Sequence, residues 1–239
     1  MAGHNKWSKV KRLKAVTDKR KGALFSKTLN EIMLAAKSST DPASNFRLRK
    51  AISDAKAQSI PKDNIDRAIK KGSGELNDGV TLEELIYEGF GPGGVAFMVE
   101  CVTDNRNRTQ PELKKIFEKA GGMMGEMGSV AWSFEKKGQI LVSRDKAKEE
   151  DLMNLVLEAG ADDLKTSEDG YEILVSPPKF ESVRQTLETQ KIPVELAEIT
   201  FVPTNKVPAS ADLIEIIDKL SESLEDHADV QRVVHNADI

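Results

Sequence analysis

Tyr87-Glu88-Gly89-Phe90-Gly91-Pro92-Gly93-Gly94-Val95-Ala96-Phe97-Met98-Val99-Glu100-Cys101-Val102 is where the texture of the chain changes. Residues 87–90 read as a short strand and the Gly-Pro-Gly-Gly that follows as a tight turn. Residues 95–102 are apolar almost throughout, as a well-buried strand requires. Upstream, the apolar residues recur at the 3.6-residue period of helices. Downstream, short strand patterns alternate with helical ones. That switch predicts an α+β protein: an all-α front followed by sheet domains.

Working back from this point, residues 72–80 read as a linker rich in Gly, Ser, Asn and Asp. Before it come four predicted helices. Residues 8–21 carry a thin apolar line, Val10, Leu13 and Val16, and Gly22 is a plausible break. Residues 24–37 place Phe25, Leu29, Ile32, Met33 and Ala36 on one face. Asp41-Pro42 reads as an N-cap and first helical residue for a third helix, with Leu48, Ala51, Ile52 and Ala55 facing inward. Pro61 opens a fourth, with Ile65, Ala68 and Ile69 inward and Gly72 beyond its end.

Working forward, residues 103–108 read as a polar loop, and Thr109-x-x-Glu112 as a capping box opening a helix to about Ala120. A loop over 121–128 and a strand over 129–135 complete a β-α-β unit. Residues 139–143, 146–159, 163–166, 171–175, 177–187 and 194–197 then give β-α-β-β-α-β, the ferredoxin-like order of elements. A strand over 199–202, a helix over 212–224 and a strand over 230–234 remain, and would complete the earlier unit. The expected organisation is therefore a basic helical domain at 1–75, a discontinuous α/β domain at 76–135 plus 198–239, and an inserted ferredoxin-like domain at 136–197. That is an all-α bundle followed by two ferredoxin-like α/β domains, one inserted into the other.

Charge divides the chain in the same way. The total is −4, yet residues 1–75 hold 18 Lys/Arg against 7 Asp/Glu, net +11, and residues 76–239 hold 17 against 32, net −15. Through residue 27 there are nine cations, Lys6, Lys9, Lys11, Arg12, Lys14, Lys19, Arg20, Lys21 and Lys27, and one acid, Asp18. Solvated faces usually mix signs, and this one does not. Such a run can neutralise phosphates and release their counterions, giving affinity without reading sequence. Trp7 within it could stack on an unpaired base, or else pack on the bundle. Arg106 and Arg108, between a strand and a helix, could fork onto phosphates, or else pair with nearby acids. Arg47, Arg49 and Lys50 either extend the basic surface or lie on a solvated helix face.

Other classes find little support. The three histidines are far apart in sequence, and there is no C-x-x-C, H-E-x-x-H or G-x-S-x-G. The glycines of residues 89–94 lack the Lys-Ser/Thr and the following helix of a P-loop. Cys101 reads as an inert core thiol, and a single cysteine fits a reducing cytoplasm. Catalysis, a metal and a cofactor are not expected, nor is a membrane span or a small-molecule substrate. A monomer is expected. A protein-interaction regulator binding a basic partner through the acidic rear is the alternative from another class.

The opening Met-Ala-Gly-His-Asn-Lys-Trp-Ser-Lys-Val-Lys closely resembles the start of the YebC/PmpR family. So do residues 27–37, Asn45-Phe46-Arg47-Leu48-Arg49, residues 60–71, residues 87–94, Thr103-Asp104-Asn105-Arg106-Asn107-Arg108-Thr109 and the ending Val234-His235-Asn236-Ala237-Asp238-Ile239. The resemblance implies a three-domain cytoplasmic protein. It implies either a transcriptional regulator that binds promoter DNA or a translation factor that binds ribosomal RNA and helps the ribosome through proline-rich stretches. A mitochondrial relative activates synthesis of a cytochrome oxidase subunit. Three positions depart from the family pattern: Asn5 where Ser is usual, Leu13 where a base is common, and Met123-Met124 where Asn-Leu is common.

Overall fold

The structure is a computed structural model that describes residues 7, 18–76, 79 and 81–238, with the backbone alone at 18–21 and 23. Three helices come first: α1 (Asp18–Ala36), α2 (Phe46–Ala57) and α3 (Lys62–Gly72). Their inward residues, Ile32, Ala35, Leu48, Ala51, Ala55, Ile65 and Ala68, form one buried cluster. The expected break at Gly22 is absent, because α1 runs through it. Gly22 is exposed, and a lone glycine in an exposed helix costs only about 1 kcal/mol, too little to end it. The predicted helix over 8–21 lies mostly outside the described residues.

α2 begins four residues later than Asp41-Pro42 predicts. Its N-cap is Asn45, whose Oδ1 accepts from Leu48 N at 3.0 Å. The same side chain donates through Nδ2 to the carbonyls of Ala35 and Ser39, both at 2.7 Å. An amide can do both jobs at once, and a carboxylate cannot. Asn45 thus fastens the end of α1 to the start of α2, and Asp41 only closes a local turn onto Ala43 N.

The next elements are β1 (Glu83–Phe90), β2 (Ala96–Thr103), α4 (Arg106–Lys119) and β3 (Met123–Met124). The turn between β1 and β2 needs its glycines: Gly93 has φ 73° and a Cβ there would meet the Leu213 side chain at 2.5 Å. The chain then leaves for β4 (Phe134–Ser143), α5 (Glu149–Glu158), β5 (Asp163–Thr166), β6 (Gly170–Val175), α6 (Phe180–Thr189) and β7 (Leu196–Pro203). It returns through β8 (Val207–Pro208), α7 (Ala211–Glu225), β9 (Val230–His235) and β10 (Ala237–Asp238).

Two four-stranded antiparallel sheets result, ordered β3-β1-β2-β9 and β5-β6-β4-β7. The second has the ferredoxin-like order. The first does not, because β1 and β2 form a hairpin at its centre. Each buries one face under two helices. Beneath α4 and α7, Phe97 meets Phe117 edge-on at 5.9 Å, among Val95, Val99 and Leu220. Beneath α5 and α6 lie Ile140, Val142, Ile173, Val183 and Leu187. Aromatic and aliphatic burial of this kind is the main force holding each layer together.

Three predicted strands are not as expected. Residues 129–133 form no strand; a 3-10 turn at Ala131–Ser133 leads into β4. The strands expected at 194–197 and 199–202, in different domains, are one strand, β7, which begins at Leu196 and is paired with β4 from Leu141↔Leu196 to Phe134↔Pro203. The second sheet therefore reaches from 134 to 203, beyond the predicted 136–197.

The bundle touches both sheets. Leu34 packs on Leu82 and Val102. Arg47 bridges Glu31 of α1 (2.7 Å) and Glu84 of β1 (3.0 Å). Phe46 packs against the second sheet's core, between the guanidiniums of Arg49 (5.5 Å) and Arg184 (5.3 Å). Arg232 of β9 joins Glu100 of β2 (3.3 Å) to Glu198 of β7 (2.9 Å), tying the two sheets together.

Candidate nucleic-acid interface

The cations singled out in the sequence fall into three groups. Lys6, Lys9, Lys11, Arg12 and Lys14 lie outside the described residues. Lys19, Arg20 and Lys21 stand on the first turn of α1, where only the backbone is described. Lys27, further along the helix, is turned inward, and its Nζ donates to the carbonyl of Glu225 at the end of α7. A cation beside the last carbonyls of a helix is favoured by the helix dipole.

Trp7 is 5% exposed, packed on Leu141 of β4 and Leu196 of β7. It lies against Gly170, where an added Cβ would meet the indole at 2.6 Å, so glycine is needed for the ring to approach this closely. In this arrangement no indole face is open to a base, which corrects the stacking expectation. Nor does Trp7 pack on the bundle; its seat is the face of the second sheet opposite α5 and α6. Trp132, in contrast, is 70% exposed.

Arg106 and Arg108 sit on the first turn of α4, and not in a loop. The N-cap is Asn105, accepting from Arg108 N at 3.2 Å, so the helix starts before the Thr109 box. Thr109 is instead buried, its hydroxyl donating to Asp229 at 2.6 Å. Arg108 Nη2 reaches Asp229 at 2.8 Å and Asp104 at 3.1 Å. Burial alone would raise the Asp229 carboxyl, but the donors Arg108, Thr109 and Thr103 outweigh it and hold it below the usual range. The hydrogen bond to Asp229 in turn raises Arg108. Arg108 remains 44% exposed, and among the described residues only its Nη2 is engaged. Asp229 N also donates to His227 Nδ1 at 3.2 Å, which leaves the His227 Nε2 proton to face Glu112 at 2.9 Å.

Three cations of α2 are engaged locally. Besides Arg47, Lys50 pairs with Asp54 at 2.8 Å, and Arg49 donates to the carbonyls of Pro42 and Ala43. Hydrogen bonding to Arg47 overcomes burial and holds Glu31 below its ordinary range. No local sequence signal marks the partners of Arg47, since Glu31 and Glu84 lie 16 and 37 residues from it.

Sequence reasoning also missed Glu88. It is 5% exposed and accepts three backbone N–H groups, from Gly128 (2.7 Å), Val130 (2.7 Å) and Ala131 (2.9 Å). It fixes the glycine-rich loop that carries Met127, 93% exposed, and Trp132. Cys101 is 2% exposed, and burial pushes its thiol up to about 12, so it is not a nucleophile. Among the described residues, no cluster of three His, Cys, Asp or Glu is placed to hold a metal, and no helix is long and apolar enough to cross a membrane.

With this geometry in place, comparison with known proteins is specific. Residues 5–75 match the family model described as the TACO1/YebC protein N-terminal domain, and residues 82–237 match that of the TACO1/YebC second and third domain. The chain belongs to the TACO1/YebC family. Its members include a protein of Geobacter sulfurreducens named a probable transcriptional regulatory protein, 51% identical over all of this chain and 96% of that one. One of Koribacter versatilis with the same description is 48% identical over 100% and 96%. The crystal structure of a conserved hypothetical protein from Aquifex aeolicus has TM-score 0.84 and 42% identity, covering 93% of this chain and 92% of that one. The α+β class is shared with that structure.

Proposed function

We propose that this TACO1/YebC-family chain is a nucleic-acid-binding regulator of gene expression. It grips phosphates through Lys6, Lys9, Lys11, Arg12, Lys14, Lys19, Arg20 and Lys21, with Arg106 and Arg108 as a second contact. The observation that carries the reading is the contrast between cations. Arg47, Arg49 and Lys50 of α2 have acidic partners or carbonyls beside them, whereas the amino-terminal run holds nine cations against one acid. The names of the relatives support a regulator of transcription. Trp7 and Lys27 are engaged inside the protein and are not assigned to the contact. With Trp7 seated there, the aromatic argument for unpaired RNA bases lapses, so duplex DNA is the expected ligand. It is a binding role, cytoplasmic and without catalysis.

Titration of a labelled DNA duplex across salt concentrations tests it. Lys9→Ala, Lys11→Ala, Arg12→Ala and Lys14→Ala together should flatten the log–log salt dependence by roughly 0.9 for each phosphate released from the interface. An unchanged slope removes these residues from the interface. A complex captured from nuclease-treated extract and abolished on altering the rear acids would point to protein interaction instead.

A further inference from the structure

The outer edge of β1 is only partly covered. The strand begins at Glu83, yet β3 pairs with it at Gly89 and Phe90 alone. In an antiparallel ladder, alternate residues turn their N–H and carbonyl to opposite neighbours. Gly91 N donates to Val95 O (2.7 Å) on the β2 side, and Gly125 N donates to Glu88 O (2.8 Å) on the β3 side. Odd-numbered residues of β1 therefore serve β2, and even-numbered ones face outward. The outward carbonyl of Leu82 takes Lys37 Nζ at 2.6 Å, and that of Glu88 takes Gly125. Between them, Glu84 and Ile86 each present an N–H and a carbonyl that nothing among the described residues meets. The side chains agree with an open edge. Glu88 and Gly89, beside β3, are buried, whereas no residue from Glu83 to Tyr87 is. Ile86 is 45% exposed, and Leu85 and Tyr87 are half-buried.

An unpaired edge is a template for another strand, and charge selects which. Glu84 is already met by Arg47 (3.0 Å), but Glu83 has no cation within ion-pair distance among the described residues. A second copy on this edge would bring the Glu83 and Glu84 of both molecules to one short ribbon, which like-charge repulsion disfavours. We propose that the edge is a docking site for an extended segment of another protein, running antiparallel to β1 as both existing neighbours do. The segment carries apolar side chains opposite Tyr87, Ile86 and Leu85, and a Lys or Arg opposite Glu83. Main-chain bonds to Glu84 and Ile86 hold it, and the side chains choose it. The site is separate from the phosphate contact assigned to the amino-terminal cations.

Amide hydrogen exchange of the full chain, with a capped peptide Thr-Val-Ile-Val-Thr-Lys-Thr as probe, tests it. In the free protein the amides of Glu84 and Ile86 should exchange fast, and those of Leu85 and Tyr87, bonded to β2, slowly. At about nine-tenths occupancy by the peptide the two fast amides should slow about tenfold, because exchange then draws on the free fraction. Ile86→Pro removes one outward N–H, leaves the β2 ladder intact and should abolish binding. Glu83→Lys should weaken it about fivefold, and exchanging the peptide's Lys for Glu should restore binding to that variant. The charge swap keeps the test informative should Ile86→Pro impair folding. Peptide binding that leaves Glu84 and Ile86 unprotected, or no binding with peptide in large excess, overturns the proposal. Protection of both amides without peptide, rising with protein concentration, would give the edge to a second copy and overturns it as well.

Discussion

The two sheets share a plan and differ in their second face. Each has four antiparallel strands with two helices on one side. In the first sheet the opposite side is filled by permanent parts of the fold: Leu34 from α1 near Val102, and Val130 and Phe134 against Ala96 and Met98. Its acids are each committed, Glu84 to Arg47, Glu88 to three amides and Glu100 to Arg232. The opposite side of the second sheet has a small apolar spot, Leu141 with Leu196 under the indole of Trp7, and beside it polar pairs, Glu172 with Gln139 (2.6 Å) and Glu198 with Arg232 (2.9 Å). A face closed by many apolar contacts is structure. One seamed with buried polar groups such as Gln139 and Glu172 depends on their hydrogen bonds being kept.

Substitutions at three places sharpen that contrast. The largest effect is expected under the helices, where the sheets are alike. Phe117→Ala and Leu187→Ala, both fully buried, should each cost about 2–5 kcal/mol in chemical denaturation, with no preference for either sheet. A much smaller loss at Leu187 would show the second sheet to be the more loosely built of the two.

Next comes Asp229, which belongs to the first sheet's side alone. Asp229→Asn leaves the Arg108 guanidinium and two threonine hydroxyls without their carboxylate, at about 2–3 kcal/mol. The native carboxyl is held below its ordinary value of 3.8, so its stabilisation is present above that value and is lost as pH falls through the lower folded one. Acid unfolding of the parent should therefore carry this contribution, and in Asp229→Asn it should be missing. An equal acid sensitivity in the two proteins would remove Asp229 from the account.

The smallest effect is expected at Glu88. Glu88→Gln keeps the shape but weakens the bonds to Gly128, Val130 and Ala131, at about 1–2 kcal/mol. Amide exchange should quicken at those three positions and leave β6 unchanged. Uniform quickening across both sheets would mean that the loop is not separately fastened.

Much of this architecture is readable from periodicity. The faces of α1, α2 and α3, the buried run of β2 and the hairpin of β5 with β6 follow from residues three, four or two apart, where local rules apply. Cap choice is less readable, because Asn45 and Asn105 win through contacts that Asp41-Pro42 and Thr109 do not make. The alternation in β7 reads as two strands because Ala197 and Ile199 are interleaved with the polar Glu198 and Thr200. Only its continuous pairing with residues 134–141 of β4 shows one. The basic run is plain from composition. The partners that occupy Arg47, Arg108 and Trp7 are not, since Asp229 is 121 residues from Arg108 and the indole's seat is over 130 residues from Trp7. Periodicity carries no information at such separations.

The order of synthesis has a consequence written into β2. Its neighbours are β1, made just before it, and β9, made over a hundred residues later. Until Val230–His235 leaves the ribosome, this strongly apolar strand has one bare edge, open to strands of other nascent chains. A message truncated shortly before that point would yield a product prone to aggregate and a natural target for quality-control proteases.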